Sequence, residues 1–276
     1  VDSSVFLAYF FMALPAGYIM KRWGYKTGII AGLLLFAIGS FLFVPAANNQ
    51  SYNYFLFALF VIACGLTILE TAANPYASSL GDPSTSTQRL NLAQSFNGLA
   101  AALAPAIGAR IILTKGYTSE ELGMMTAAAQ KAALAAEAYT VKTPYTILGI
   151  ILLCIAFLFF KIKLPDIREK NAANQNTTIL NTFRHSHLSW AVIAQFFYVG
   201  AQVCVLSLFI LYATASAQIS EIQAADYLSM GGLAFLVGRF LGTALMKYFT
   251  PRHLLTSFAI VCVLLCLVAI FGKGMM

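Results

Sequence analysis

An all-α membrane protein of about eight transmembrane helices is the fold class this chain predicts, and three observations predict it. Of the 276 residues, 60% are hydrophobic and only 10% charged, with a mean hydropathy of +0.78; a soluble domain carries about 25% charge. The apolar residues fall in runs long enough to cross a hydrocarbon core of about 30 Å at about 1.5 Å per residue. In lipid, only helices or closed barrels satisfy their own backbone, and runs of this length mean helices.

Taken in order, the expected spans are 3–20, 28–47, 54–80, 90–114, 143–161, 188–213, 225–246 and 254–272. Lys21, Arg22 and Lys26 follow the first, whereas the second connection, AANNQSY, is uncharged. Arg89 follows the third. Lys161, Lys163, Arg168, Lys170 and Arg184 follow the fifth. The sixth connection holds Glu221 and Asp226 but no cation, and Lys247, Arg252 and His253 follow the seventh. Cytoplasmic loops collect Lys and Arg, so the odd-numbered exits are expected inside. The connection from Gly116 to Lys142 is then external, with an Ala-rich helix expected over 119–139. The +7 balance follows from this topology and needs no nucleic acid to explain it.

The longest polar linker, Lys161 to His187, separates five spans from three. Two bundles joined by one basic cytoplasmic linker are typical of transporters built from repeated halves. The expected organisation is an N-terminal bundle over 1–160 lacking its first helix, a cytoplasmic linker over 161–187, and a truncated start of a C-terminal bundle over 188–276. With no initiator Met and no secretory signal, the chain reads as a fragment. Met20-Lys21 and Met246-Lys247, each behind a helix end rich in small residues, hint at internal repetition.

One acid breaks the apolar pattern. Glu70 is the only charge in the run FLFALFVIACGLTILETAANPYASSL, Phe55 to Leu80. A carboxylate at that depth costs about 2.5–3.5 kcal/mol on insertion scales, so such acids face a cavity and carry function, or glue helices together in neutral form. Thr67, Glu70 and Asn74 share one helical face, and Pro75 permits a kink beyond them. In the fourth span Asn91, Gln94 and Asn97 recur every three residues. Glu70 lies ten residues from Leu80, about 15 Å, and Asn97 eight from Arg89, about 12 Å, so antiparallel neighbours would hold them at similar height. The sixth span adds Gln195, Tyr198 and Gln202 on one face. Amides and phenols pair with hydroxyls while aromatic rings stack on C–H faces, which suits a neutral polyhydroxylated ligand. Arg110 and Arg239 are expected to anchor helix ends.

The remaining chemistry is sparse. The five cysteines (Cys64, Cys154, Cys204, Cys262, Cys266) lie in apolar runs without ligand spacing and read as small core residues. His185 and His187 belong to the solvated linker. No nucleophile–base–acid set, phosphate loop or metal cluster is present in the sequence, so neither an enzyme nor a cofactor is expected.

LETAANPY (Leu69 to Tyr76), RLNLAQSFN (Arg89 to Asn97), WAVIAQFFYVGAQ (Trp190 to Gln202) and GRFLGT (Gly238 to Thr243) together resemble the fucose/galactose/glucose–proton symporter family of the major facilitator superfamily. The first two strings are specific; GRF and the basic turns are generic. The resemblance implies a major facilitator type two-bundle transporter, here from the second to the ninth of twelve family helices. It matches Glu70 to the family's central proton-linked glutamate and Asn97 to its sugar-contacting asparagine, with Gln94 in the same string. The family's aspartate on the first helix has no counterpart, and Asp2 does not match it. Val205-Leu206 stand where the L-fucose branch carries an aromatic, which leaves glucose or galactose open.

The expectation is therefore proton-coupled monosaccharide symport by alternating access at the bacterial inner membrane. Glu70 would be the proton-coupling residue, and Asn97, Gln94, Asn74, Tyr198 and Gln202 the sugar contacts. The proton is the coupling ion, the partners are sugar and lipid bilayer without nucleic acid, and a monomer is expected. A sugar sensor or scaffold, or a sodium-coupled or facilitative carrier, stands as the alternative.

Overall fold

A computed structural model describes residues 2–49, 51–111, 124–165, 185–217 and 219–271. Among the described residues all regular structure is helical. Seven α-helices follow in order: α1 (Asp2–Asn49), α2 (Tyr52–Ser79), α3 (Ser86–Ile111), α4 (Ala127–Lys161), α5 (Ser186–Ala217), α6 (Glu221–Leu245) and α7 (Pro251–Phe271), with a 3₁₀ turn at Pro83–Thr85 before α3.

The first two expected spans are separate helical arms of α1 that meet in a break at Gly24. The expected connection at Lys21, Arg22 and Lys26 is short: the backbone is helical up to Gly24 and again beyond it, and the φ of 82° and ψ of 168° at that position suit a residue without a Cβ. Ala8 on the first arm and Leu35 on the second pack in one cluster with Ala63 and Cys64 of α2, so both arms lie along α2.

The expected fifth span holds, with an apolar stretch over Thr140–Lys161 against 143–161, but its helix starts earlier. α4 begins at Ala127, capped by the Thr126 hydroxyl accepting from the Ala129 amide, and continues through Pro144 to Lys161. The Ala-rich stretch and the span are thus one helix from 127 onward; residues 112–123 lie outside the described residues, as does 166–184 of the linker. Among the described residues, six stretches are long and apolar enough to cross a membrane: Ser4–Asn49, Tyr52–Ser79, Thr140–Lys161, Ser186–Ala217, Asp226–Leu245 and Pro251–Phe271. α3 is outside that set, because its opening turns carry Gln88, Arg89, Asn91, Gln94, Ser95 and Asn97.

The chain forms two compact units: residues 1–86 with 103–169, and residues 87–102 with 170–276. In the first unit, Ile29, Leu33 and Ala37 of α1 pack on Ala72 and Tyr76 of α2 and on Leu152 and Ala156 of α4. Small residues let the backbones approach, as expected where helices associate by close packing rather than by escape from water. In the second unit α6 packs on α3 through polar bonds, and the Tyr212 hydroxyl of α5 donates to the Ala269 carbonyl of α7 at 2.9 Å. Large apolar side chains such as Phe196 and Ile270 are more than 70% exposed, a surface suited to lipid rather than water.

The cysteine expectation holds in part. All five thiols are free, but only Cys64 is buried; the other four sit on exposed helix faces.

Candidate functional site

The carboxyl of Glu70 is half-buried in the first unit. α2 holds it there because the flanking turns are apolar and packed: Ile68 and Ala72 are buried on either side. The Tyr9 hydroxyl, from the first arm of α1, donates to Glu70 Oε2 at 3.2 Å. Tyr9 is a residue that the sequence reading missed. It lies 61 positions from Glu70, and nothing local marks it out from the other aromatics of its arm.

The face shared with Glu70 is less open than its spacing implied. Thr67 is buried, and its hydroxyl donates to the Ala63 carbonyl at 2.7 Å, while the Thr71 hydroxyl donates to the Thr67 carbonyl at 2.6 Å. Both hydroxyls are thus bonded within α2, a common resting place for Thr in membrane helices. Asn74 is half-buried one turn on. α2 continues through Pro75 to Ser79, and the Ser78 and Ser79 hydroxyls both donate to the Pro75 carbonyl.

The second unit divides the amide stripe of α3 by role. Asn91 Nδ2 donates to the Thr243 hydroxyl at 2.8 Å and to the Arg239 carbonyl at 3.3 Å, and Gln88 Nε2 donates to the Thr243 carbonyl at 3.1 Å. These bonds fasten α3 to α6. Asn97, two turns further, is exposed and donates only weakly, at 3.5 Å, to Gln94 Oε1. Two hydrogen-bonding side chains therefore stand side by side at 94 and 97, an arrangement that can bracket a diol.

Arg239 departs from the anchoring expectation. Its guanidinium donates through Nη1 to the Gln94 carbonyl at 2.9 Å and lies 4.8 Å from the centroid of the Phe235 ring. It is a packing residue between α6 and α3. The side chain of Arg110 lies outside the described residues. On α5, Tyr198 is exposed and Gln202 half-buried, one helical turn apart. Gln195 is exposed.

At the other end of the first unit, the Lys26 ammonium donates to the carbonyls of Phe160 and Ile162 at 3.1 and 2.8 Å, and the Tyr76 hydroxyl to that of Pro165 at 3.1 Å. A cation at the C-terminus of α4 meets the helix dipole and the carbonyls left without intrahelical partners.

Comparison with known proteins places these residues in a wider setting. The family model described as Major Facilitator Superfamily matches residues 1–275. The chain is 38% identical over 287 residues to the L-fucose-proton symporter of Escherichia coli (strain K12), covering 99% of this chain and 64% of that protein. It is also 38% identical over 271 residues to a glucose/galactose transporter of Brucella abortus biovar 1 (strain 9-941), covering 98% of this chain and 63% of that protein. The chain thus spans a little under two thirds of the length of these curated relatives. A crystal structure of the E. coli fucose:proton symporter superposes with a TM-score of 0.92 at 38% identity, over 99% of this chain and 68% of that one. A second, in the outward conformation, gives a TM-score of 0.89 at 37% identity.

Proposed function

The chain belongs to the Major Facilitator Superfamily, and from that premise we propose that it carries out proton-coupled symport of a monosaccharide. It is a multi-pass membrane protein, read here as one of the bacterial inner membrane. The observation that carries the proposal is the half-buried Glu70 carboxyl in an apolar helix, held by one phenol. An acid kept at membrane depth is functional by default, and relatives 38% identical to this chain bear the names L-fucose-proton symporter and glucose/galactose transporter.

Two arms at Gly24 support a finer topology. A straight helix of 46 residues would reach about 69 Å, twice a bilayer core. Each arm is therefore read as a span, and α3 as another that tolerates polar residues because they face protein or sugar. That brings the spans to eight.

In the proposed mechanism Glu70 takes up a proton with the site open to the outside and releases it with the site open to the cytoplasm. Asn97 and Gln94 hold sugar hydroxyls, with Asn74, Tyr198 and Gln202 as further contacts. L-fucose, glucose and galactose are the candidate substrates. No cofactor is required: the proton gradient supplies the energy, and the protein acts as a monomer rather than as an enzyme.

The test is Glu70→Gln in proteoliposomes, which imitates the protonated carboxyl at constant size. Exchange of radiolabelled sugar across the membrane should survive, and accumulation driven by an imposed pH gradient should vanish. Accumulation equal to the parent's would remove Glu70 from coupling and leave it as a packing residue.

A further inference from the structure

We propose that Tyr9 is a positioning residue for Glu70: its phenol holds the ionised carboxylate in place and so governs when Glu70 takes up and releases its proton. The inference rests on the coupling role given to Glu70 above, and goes beyond it by naming the group that controls the acid.

The geometry is specific. Tyr9 lies on the first arm of α1 and Glu70 in the middle of α2, both half-buried, with the phenol oxygen 3.2 Å from Oε2. Ala8, the neighbour of Tyr9, is fully buried and packs with Ala63 and Cys64 of α2, so the arm is held against α2 next to the bond. A phenol can donate or accept. Facing a carboxylate it donates, and this charge-assisted bond is stronger than a neutral one. Once Glu70 is protonated the phenol loses its anionic acceptor and the bond weakens. The hydrogen bond therefore favours the ionised form selectively.

Nothing else among the described residues competes for that role. The other titratable and charged groups on elements packed against α2 are engaged elsewhere or lie at helix ends. Arg22 donates to the Tyr18 hydroxyl, Lys26 to the end of α4, and Lys142 lies 3.5 Å from Asn48 Oδ1. Tyr25 packs on Tyr76 and Tyr145 on Phe43. Lys21 and Lys161 are exposed at helix ends, and Cys64 is buried in its own cluster. Tyr9 is also well suited to respond to conformational change, because it belongs to a different helix from the acid. Any motion of the first arm relative to α2 would lengthen the bond and free the carboxylate to take a proton.

Infrared difference spectroscopy on the protein in lipid vesicles, stepped in pH, reads this directly and needs no sugar. The protonated-carboxyl C=O band that disappears in Glu70→Gln belongs to Glu70. In Tyr9→Phe that band should move to higher wavenumber, and its half-formation should shift to higher pH, because the anion has lost a charge-assisted donor. Incorporation of 3-fluorotyrosine at position 9, a stronger donor of nearly the same shape, should shift half-formation the opposite way; this arm stands even if Tyr9→Phe folds poorly. An unchanged band and midpoint in both variants overturns the inference. The two readings fail separately: if Glu70→Gln still accumulates sugar, the coupling role falls, whereas loss of accumulation with an insensitive band removes Tyr9 alone.

Discussion

Gly65 of α2 presses directly on the backbone of Phe36 in the second arm of α1. A Cβ placed on Gly65 would meet the Phe36 nitrogen, lie 2.8 Å from its Cα and 2.9 Å from the Gly32 carbonyl oxygen. The approach is reciprocal, since a Cβ on Gly32 would lie 2.8 Å from the Leu69 nitrogen. This backbone-to-backbone seam holds α2, and with it Glu70, at a fixed distance from α1.

Gly65→Ala should therefore destabilise the first unit, by at least the roughly 1–3 kcal/mol typical of overpacking, because backbone rather than a flexible side chain must give way. Gly17→Ala is the control: nothing lies within 4 Å of its Cβ position, and alanine is the better helix former. Thermal melting in detergent should separate the two, with Gly65→Ala lowered and Gly17→Ala level with or above the parent. Equal melting temperatures would show that the seam yields.

Asn91→Ala and Asn97→Ala should behave differently although the two amides share a stripe. Asn91 bonds Thr243 and the Arg239 carbonyl, so its loss should lower stability by about 1 kcal/mol, at about 0.6 kcal/mol per membrane hydrogen bond, with sugar affinity retained. Asn97→Ala should leave stability unchanged and weaken sugar binding about 5- to 150-fold, the equivalent of roughly 1–3 kcal/mol for an unpaired hydroxyl. Equilibrium binding of tritiated L-fucose and D-galactose, alongside melting curves, checks both. Weakened binding in Asn91→Ala at full stability would put Asn91 in the site instead.

Lys26→Met should loosen the end of α4. The ammonium meets two carbonyls there, and a cation at a helix C-terminus contributes about 0.3–1 kcal/mol at an exposed site, less at high salt. The melting temperature of Lys26→Met should fall below the parent's at low ionic strength, with the gap narrowing as salt is added. A gap independent of salt would mean that the stem of Lys26, not its charge, is what packs.

Orientation is open to a direct check. Ser84, in the turn before α3, is expected inside, and Ser51, between α1 and α2, outside. Single cysteines at these positions, in a background with the native cysteines replaced, should label differently with an impermeant thiol reagent on intact cells: Ser51→Cys reacts and Ser84→Cys reacts only after lysis. The reverse pattern would invert the topology.

What the sequence determined by itself was the kind of structure and its one anomalous charge. Apolar runs of membrane length must be helical because lipid offers their backbone no other partner, and α2, α5, α6 and α7 fall within a few residues of their expected bounds. Glu70 stood out for the same reason, since an acid in such a run is costly wherever the helix packs. The tertiary structure decided whatever depended on a neighbour. Asn91, Gln94 and Asn97 look alike along α3, yet α6 lies beside the first and takes it for packing, while Asn97 stays exposed. Gly24 reads as one small residue in a basic turn, and only the folded backbone shows that the break between the two helical arms falls on it. Tyr9 carries no local mark at all. Its link to Glu70 spans 61 positions, and a hydrogen bond of that range exists only once two helices are packed, because helical periodicity reports which side chains share a face and never which face they meet.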